Sequence, residues 1–291
     1  MCRSRMKVSR VKVGREIQVK SGGRGSPPHA DTIVFLGGGR ITSALLGGLR
    51  LARYEQPIVV HDRHLAKLRQ LRRDYGVTVE PDLQRAVAQA RLLIIAVRPD
   101  TVRELLQQIE DTPPVMAVSL AAGISLSKLR RWMGKPVRWA RAMPSPVARS
   151  GRGLTALTFG RDFPTEARRE VRDVFARVGA VLEIPESKFD AFSVTYSSSQ
   201  GYHALAGLAE AAQMIGLDHR TALTAAAHAL ADGILAWREG PMSLGDLLRE
   251  AATPGGIAAA TMASMDKSGY RRAVQGGLRA GMERARQYAK G

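Results

Sequence analysis

Short apolar runs alternate with amphipathic stretches through the first half of the chain. Thr32-Ile33-Val34-Phe35-Leu36 has no polar interruption, the pattern of a strand buried on both faces. Further short strand-like runs fall at 57–61, 77–79, 92–97, 115–120 and 137–143, the last containing Arg138 and Arg141 and ended by Pro144. Helical periodicity fills 65–75, the stretch from the cap Asp82 to 89, 102–109, and the stretch from Ser127. Strand–helix units in this order predict right-handed crossovers and a parallel sheet. The texture then changes. An amphipathic helix over 166–178 and a last strand over 180–184 lead into an Ala-rich helical region from Asp190, broken at Gly216, Gly240-Pro241 and Pro254-Gly255-Gly256. The apolar stretch 221–237 contains His228 and Asp232, so it reads as a buried helix rather than a membrane span. The expected organisation is therefore α/β, with a dinucleotide-binding domain over 31–162 and a mainly helical region over 163–291.

The first strand runs directly into Gly37-Gly38-Gly39-Arg40-Ile41-Thr42-Ser43-Ala44 and then a helix. Strand, glycine turn and helix in that order is what a dinucleotide site needs. Gly37 permits the tight turn, and Gly39 lets backbone approach a pyrophosphate seated on the free N–H groups of the helix. Thr42 stands where a third glycine is usual, while Ala44 and Gly48 leave room for close helix packing. Asp62 and Arg63 follow the second strand. An acid there accepts from a ribose 2′-OH and favours NADH; a guanidinium there pairs with a 2′-phosphate and favours NADPH. Both are present, and either cofactor remains open. Ligands of such sheets bind at the carboxyl ends of the strands, so Arg98-Pro99, Ala121-Ala122-Gly123 and Met143-Pro144 are expected along one crevice. Further along, Thr253 suits an N-cap and Pro254 a first helical position, which would leave the N–H groups of Gly255, Gly256 and Ile257 free for an anion.

Composition narrows the class. One cysteine, Cys2, excludes an internal disulfide framework. The net charge of +18 raises the question of a polyanionic partner. Residues 1–30 hold eight basic residues against Glu16 alone, so much of the excess sits in a Gly/Ser/Pro-ended extension expected to be disordered. That extension has no apolar core of the kind a secretory signal needs. No nucleic acid, membrane or metal partner is expected, and the location expected is cytoplasmic.

Taken together, the motifs resemble those of the pyrroline-5-carboxylate reductase family. Its Gly-x-Gly-x-Met-x-x-Ala is matched by Gly37, Gly39, Ile41 and Ala44, and its Ala-Val-Lys-Pro by Ala96-Val97-Arg98-Pro99. Its Ala-Gly-Ile is matched by Ala122-Gly123-Ile124, and its Arg-Val-Met-Pro-Asn by Arg141-Ala142-Met143-Pro144-Ser145. Gly151, Gly153 and Thr155-Ala156-Leu157 follow in register, and Leu248-Arg249-Glu250 precedes Pro254-Gly255-Gly256. The resemblance implies a Rossmann domain followed by an all-helical dimerisation domain, a homodimer or higher homo-oligomer, and a role in proline biosynthesis. It implies an NAD(P)H-dependent oxidoreductase that delivers hydride from NADPH or NADH to the C=N bond of 1-pyrroline-5-carboxylate, giving L-proline. It assigns Gly37, Gly39, Arg40, Ile41, Asp62, Arg63, Ala96, Val97, Arg98, Pro99 and Ala122 to the cofactor. Met143, Ser198, Thr253, Gly255, Gly256 and Ile257 fall to a cyclic imine substrate, with Thr253 as the catalytic candidate.

The departures lie in the substrate half. Ser197-Ser198-Ser199-Gln200-Gly201-Tyr202 stands where the family has Gly-Ser-Gly-Pro-Ala-Tyr. Ile257 and Ala258 fill places where a hydroxyl is usual, and Ser145-Pro146-Val147 replaces Asn-Thr-Pro. These changes suit a same-fold imine reductase with another substrate, or a dinucleotide-binding relative without turnover, as alternatives.

Overall fold

The computed structural model describes residues 31–111, 115–134 and 137–290, so the basic extension 1–30, with Cys2, lies outside the described residues. The apolar runs form β1 (Ile33–Leu36), β2 (Ile58–His61), β3 (Thr78–Val79), β4 (Leu92–Ile95), β5 (Met116–Ser119) and β6 (Arg138–Met143). Between them run α1 (Arg40–Leu51), α2 (Leu65–Tyr75), α3 (Leu83–Ala88), α4 (Pro99–Gln107) and α5 (Leu126–Trp132). A 3₁₀ turn over Pro146–Ser150 follows, then β7 (Gly153–Phe159), α6 (Thr165–Ala176) and β8 (Gly179–Glu183).

These strands make one sheet in the order β3-β2-β1-β4-β5-β6-β7-β8. All pairings are parallel except β6 with β7. Strand β7 is absent from the sequence reading: Gly-Leu-Thr-Ala-Leu-Thr-Phe carries too little β-branched and aromatic character to stand out. Its pairing is long-range, with Ala140 opposite Phe159 and Met143 opposite Ala156. Strand β8 then adds parallel to β7, so the sheet runs on to Glu183 and the boundary expected at 162 cuts through it. The change from sheet to helices falls after β8, because α6 crosses back over the sheet and buries Val171 and Phe175 against it.

Two cores flank the sheet, one per face. Phe35, Ile94 and Val118 pack with Leu46 of α1 and Phe175 of α6. Leu36, Leu93, Ile95 and Trp139 pack under α4 and α5 on the other face. Two close approaches set the position of α1. A Cβ on Gly48 would lie 2.1 Å from the Ala148 carbonyl oxygen, so Gly48 packs against the 3₁₀ turn rather than the sheet. Thr42 is buried and its hydroxyl donates to the Gly37 carbonyl at 2.6 Å, tying the helix to its own glycine turn.

The helical region comprises α7 (Glu186–Thr195), α8 (Ser198–Met214), α9 (His219–Glu239), α10 (Leu244–Ala251), α11 (Ile257–Lys267) and α12 (Tyr270–Lys290). Asp218 caps α9 by accepting from the Arg220 and Thr221 N–H groups. Contrary to the expectation of a buried helix, only Ala222 and Ala226 of α9 are buried within one chain. Leu223, Ile234, Leu235 and Trp237 stay exposed, with Trp237 at 50%, because a single copy places nothing over that face. Among the described residues no helix is long and apolar enough to cross a membrane.

Candidate active site

Strand order reverses at β1, which lies between β2 and β4, and the carboxyl ends of β1 and β4 diverge around a crevice. A cavity of about 440 Å³ opens there. Gly37, Gly39, Asp62, Arg63, Ala96, Val97 and Arg98 line it, seven of the residues expected at the cofactor, together with His61, His64, Lys67 and Thr101. Gly37 has φ +112° and its N–H donates to the His61 carbonyl at 2.8 Å, which docks the turn on β2. Gly39 is the N-cap of α1 with no side-chain cap, and a Cβ there would meet nothing within 4 Å. The first amides of α1 therefore face open space wide enough for a pyrophosphate, and the cradle fits a dinucleotide.

Asp62 lines the crevice as expected, and it also has partners that the sequence reading did not anticipate. It is buried, and both carboxylate oxygens have partners in the chain itself. Oδ2 accepts from the Gly38 N–H at 2.8 Å, and Oδ1 accepts from the His64 N–H at 2.8 Å and contacts His64 Nδ1 at 2.8 Å. Lys67 Nζ stands 3.7 Å from Oδ2. An acid that reads a ribose hydroxyl needs a free lone pair, and these contacts leave one only on Oδ2, on the side of Lys67. Burial pushes the Asp62 carboxyl up, but the hydrogen bonds from Gly38 and His64 and the charge of Lys67 outweigh it and hold the group below the usual carboxylate range. Arg63 and Lys67 are exposed and leave a cationic rim beyond it, with exposed His64 between them. His61 Nδ1 faces the Glu80 carbonyl at 3.0 Å.

A pH dependence follows. The folded-state pKa is depressed, so ionised Asp62 contributes its full stabilisation above the ordinary carboxylate value of about 4 and loses it as pH falls through the lower native value. Asp62→Asn is expected to melt several degrees lower than the natural chain at pH 7, with the gap closing below about pH 4. Melting curves of both proteins across pH 3–8 check it; a gap that stays constant with pH would contradict the role given to the carboxylate.

The remaining expected residues scatter. Arg40 and Ile41 open α1 beside the crevice, and Pro99 opens α4. Ala122 follows β5, and Met143 ends β6, both half-buried at the same sheet edge but outside the cavity lining. Ser198, Thr253, Gly255 and Ile257 are exposed, Gly256 is half-buried, and none of them lines the crevice. The Thr253 turn also differs from expectation. Gly255 has φ +78°, which a right-handed helix cannot contain, so α11 starts later with Gly256 as its N-cap. The Gly256 N–H donates to the Thr253 carbonyl at 2.9 Å and is not free for an anion. The Gly255 and Ile257 N–H groups have no partner among the described residues. The Thr253 hydroxyl turns back to the Glu250 carbonyl at 3.4 Å. At α8, Ser197 occupies the N-cap, but its hydroxyl bonds Ser199 Oγ at 2.6 Å instead of capping. His64 and Lys67, which line the crevice, escaped the sequence reading of the cofactor site; their i, i+3 spacing at the start of α2 was the available signal.

Fold and crevice define a dinucleotide-linked oxidoreductase, a nucleotide domain joined to a helical region. The family model described as NADP oxidoreductase, coenzyme F420-dependent, matches residues 32–123, and the one described as pyrroline-5-carboxylate reductase dimerisation matches residues 186–288. A pyrroline-5-carboxylate reductase of Corynebacterium melassecola is 30% identical over 267 residues, covering 89% of this chain and 99% of that one. The chain belongs to the pyrroline-5-carboxylate reductase family. In fold it is similar to the crystal structure of the Streptococcus pyogenes 1-pyrroline-5-carboxylate reductase, with TM-score 0.82 at 23% identity over 89% of this chain and 99% of that one. It is also similar to the Plasmodium falciparum pyrroline carboxylate reductase solved with NADP bound, with TM-score 0.80 at 18% identity over 90% of this chain and 100% of that one.

Proposed function

We propose that the protein reduces the C=N bond of 1-pyrroline-5-carboxylate to give L-proline. The observation that carries this reading is a glycine-lined dinucleotide crevice at the sheet's switch point, in a chain whose residues 186–288 match the pyrroline-5-carboxylate reductase dimerisation family. When bound, a reduced nicotinamide supplies the hydride for the imine carbon, while the ring nitrogen holds a proton. The chain's own tasks are to position and to exclude water. Gly37 and Gly39 bring backbone close, and the Gly255 and Ile257 N–H groups serve as the carboxylate clamp.

Two finer points belong to this reading. The contacts of Asp62 with Gly38 and His64 and the cationic rim of Arg63 and Lys67 favour a 2′-phosphate, so NADPH is the preferred cofactor. The substrate half is completed by a second copy of this chain. The exposed apolar residues Leu223, Ile234, Leu235, Trp237, Met265 and Val274 support this, since a surface of that kind is covered in a stable protein.

The test is oxidation of NADPH and NADH by the purified full chain, with and without 1-pyrroline-5-carboxylate. Substrate-dependent oxidation with a lower KM for NADPH is expected. Arg63→Ala is expected to raise the NADPH KM roughly 10–100-fold, the cost of one charge-assisted contact, while leaving the NADH KM nearly unchanged. An equal loss for both cofactors would remove Arg63 from the phosphate site. The departures at 197–201 and 257–258 favour one second reading, a cyclic imine other than pyrroline-5-carboxylate. Turnover with a different member of an imine panel, and none with pyrroline-5-carboxylate, would establish it.

A further inference from the structure

Among the described residues, Arg141 is the one cation in the middle of a core strand. It lies on β6 with 1% of its side chain exposed, between Ala140 and Ala142, and its cross-strand neighbours are the buried Ser119 of β5 and Thr158 of β7. Its guanidinium leaves the sheet and meets α7. Nη2 donates to Asp190 Oδ1 at 2.5 Å, Nη1 stands 3.7 Å from Glu186 Oε1, and the group lies over the Phe189 ring at 4.3 Å. Glu186, Phe189 and Asp190 share one face of α7 by their helical spacing. The Nε of Arg141 is buried without a hydrogen-bond partner. Desolvating a guanidinium is costly, and an apolar side chain of similar size would fill this place with less penalty. The fold alone gives no reason for a cation here.

The contacts around it point to the crevice. Glu186 Oε1, beside Arg141, also accepts from the Leu126 N–H at 2.6 Å, holding the start of α5 just after the Ala121–Ser125 loop. The other end of α7 is fixed as well: the Leu154 N–H of β7 donates to the Tyr196 hydroxyl at 2.9 Å. Helix α12 packs on α7 so closely that a Cβ on Gly281 would lie 2.6 Å from Val194. The far end of α12 covers the same loop, with the Ala285 carbonyl 2.6 Å from where a Gly123 Cβ would stand. Arg141 therefore reaches the loop by two routes, directly through Glu186 and Leu126, and through α7 and α12 to Gly123. That loop is at the sheet edge where β5 and β6 end, two residues from Met143 in the case of Arg141 itself.

We propose that Arg141 is a positioning residue: paired with Glu186 and Asp190, it sets the helical region against the 121–126 loop and so holds the substrate half of the site in register with the cofactor half. This rests on the reductase reading above. Hydride transfer requires reacting atoms within about 3.5 Å, and a displacement of about 1 Å costs roughly 100-fold in rate. The Gly37–Gly39 cradle lies at the β1 end of the crevice, outside this contact network, while Ala122 lies within it, so cofactor affinity should follow only weakly.

The experiment compares the full chain with Arg141→Met and Arg141→Lys. Three quantities are read: kcat with 1-pyrroline-5-carboxylate, NADPH Kd by fluorescence titration, and amide hydrogen exchange over 121–126. Arg141→Met is expected to lose roughly 10–100-fold in kcat, to weaken the NADPH Kd by clearly less than that, and to exchange faster at 121–126 than the natural chain. Arg141→Lys keeps the charge and should recover part of kcat. Unchanged kcat and exchange, or equal losses in kcat and cofactor affinity, would overturn the proposal. Should Arg141→Met fail to fold, Glu186→Gln and Asp190→Asn remove the partners at positions that are about one-third exposed. The same split is expected of them, and wild-type kcat and exchange in both would overturn it. If the natural chain does not reduce pyrroline-5-carboxylate, the reductase reading fails, and exchange at 121–126 decides the role of Arg141 by itself.

Discussion

Gly37→Ala is expected to weaken NADPH binding roughly 100-fold and to lower the melting temperature by about 2–8 °C. Two independent effects act at this position. Its φ of +112° lies where an L side chain is strained, at a cost of roughly 1–3 kcal/mol. The added methyl would also stand 2.7 Å from the Ala96 carbonyl oxygen and 2.9 Å from its carbon, both rigid backbone atoms at the end of β4. Relief therefore has to come from the glycine turn moving off the sheet. That movement strains the Gly37 N–H bond to the His61 carbonyl and the Thr42 hydroxyl bond to the Gly37 carbonyl, which together place the amides of α1. Isothermal titration with NADPH and a melting curve read the two effects separately. Native stabilities are typically about 5–15 kcal/mol, so the variant should remain folded while losing its cofactor. Wild-type affinity in a folded Gly37→Ala protein would remove the turn from the cofactor site.

The second large effect is expected at the other half of the site. Gly256→Val should raise the KM for the imine substrate roughly 10–100-fold and leave the NADPH Kd within about twofold, since a charge-assisted hydrogen bond is worth about 1.5–3 kcal/mol. The backbone at Gly256, φ −80° and ψ 160°, is open to valine, so the substitution does not unfold the helix start. Its Cβ would come 3.0 Å from the Thr253 carbonyl, the acceptor of the Gly256 N–H, and this pushes the turn open. The branched side chain also stands over the flanking Gly255 and Ile257 amides. Steady-state kinetics varying each substrate in turn distinguishes the outcomes. Equal losses for cofactor and imine would mean that the turn acts on the fold rather than on the substrate.

The same contrast separates what could be read along the chain from what could not. Strands β1, β2, β4 and β5 were legible because a parallel strand covered on both faces is a nearly unbroken apolar run, and each is followed by helical periodicity; β3 and β6 were legible from their place in that alternation. The glycine turn was legible because its chemistry is local: a few residues in sequence supply the bend, the approach and the helix start. Strand β7 was not, because its partner choice depends on β6 across a chain reversal, and Leu154-Thr155-Ala156 has little strand character by itself. The substrate half showed only as motif resemblance. Its residues do not converge within one copy, so no pattern in one chain could place them.

By itself the sequence determined the α/β class and the dinucleotide crevice, which rest on periodicity and short-range spacing, and the family through the resemblance of its motifs. The tertiary structure alone decided how the charged residues are used. Asp62, legible as a ribose acid, also accepts from Gly38 and His64, and Arg141, one more basic residue in a basic chain, is a buried link to Glu186 and Asp190. The physical reason is that a charge's role depends on which partners reach it and how much water remains around it. Both are set by contacts between residues far apart in the chain.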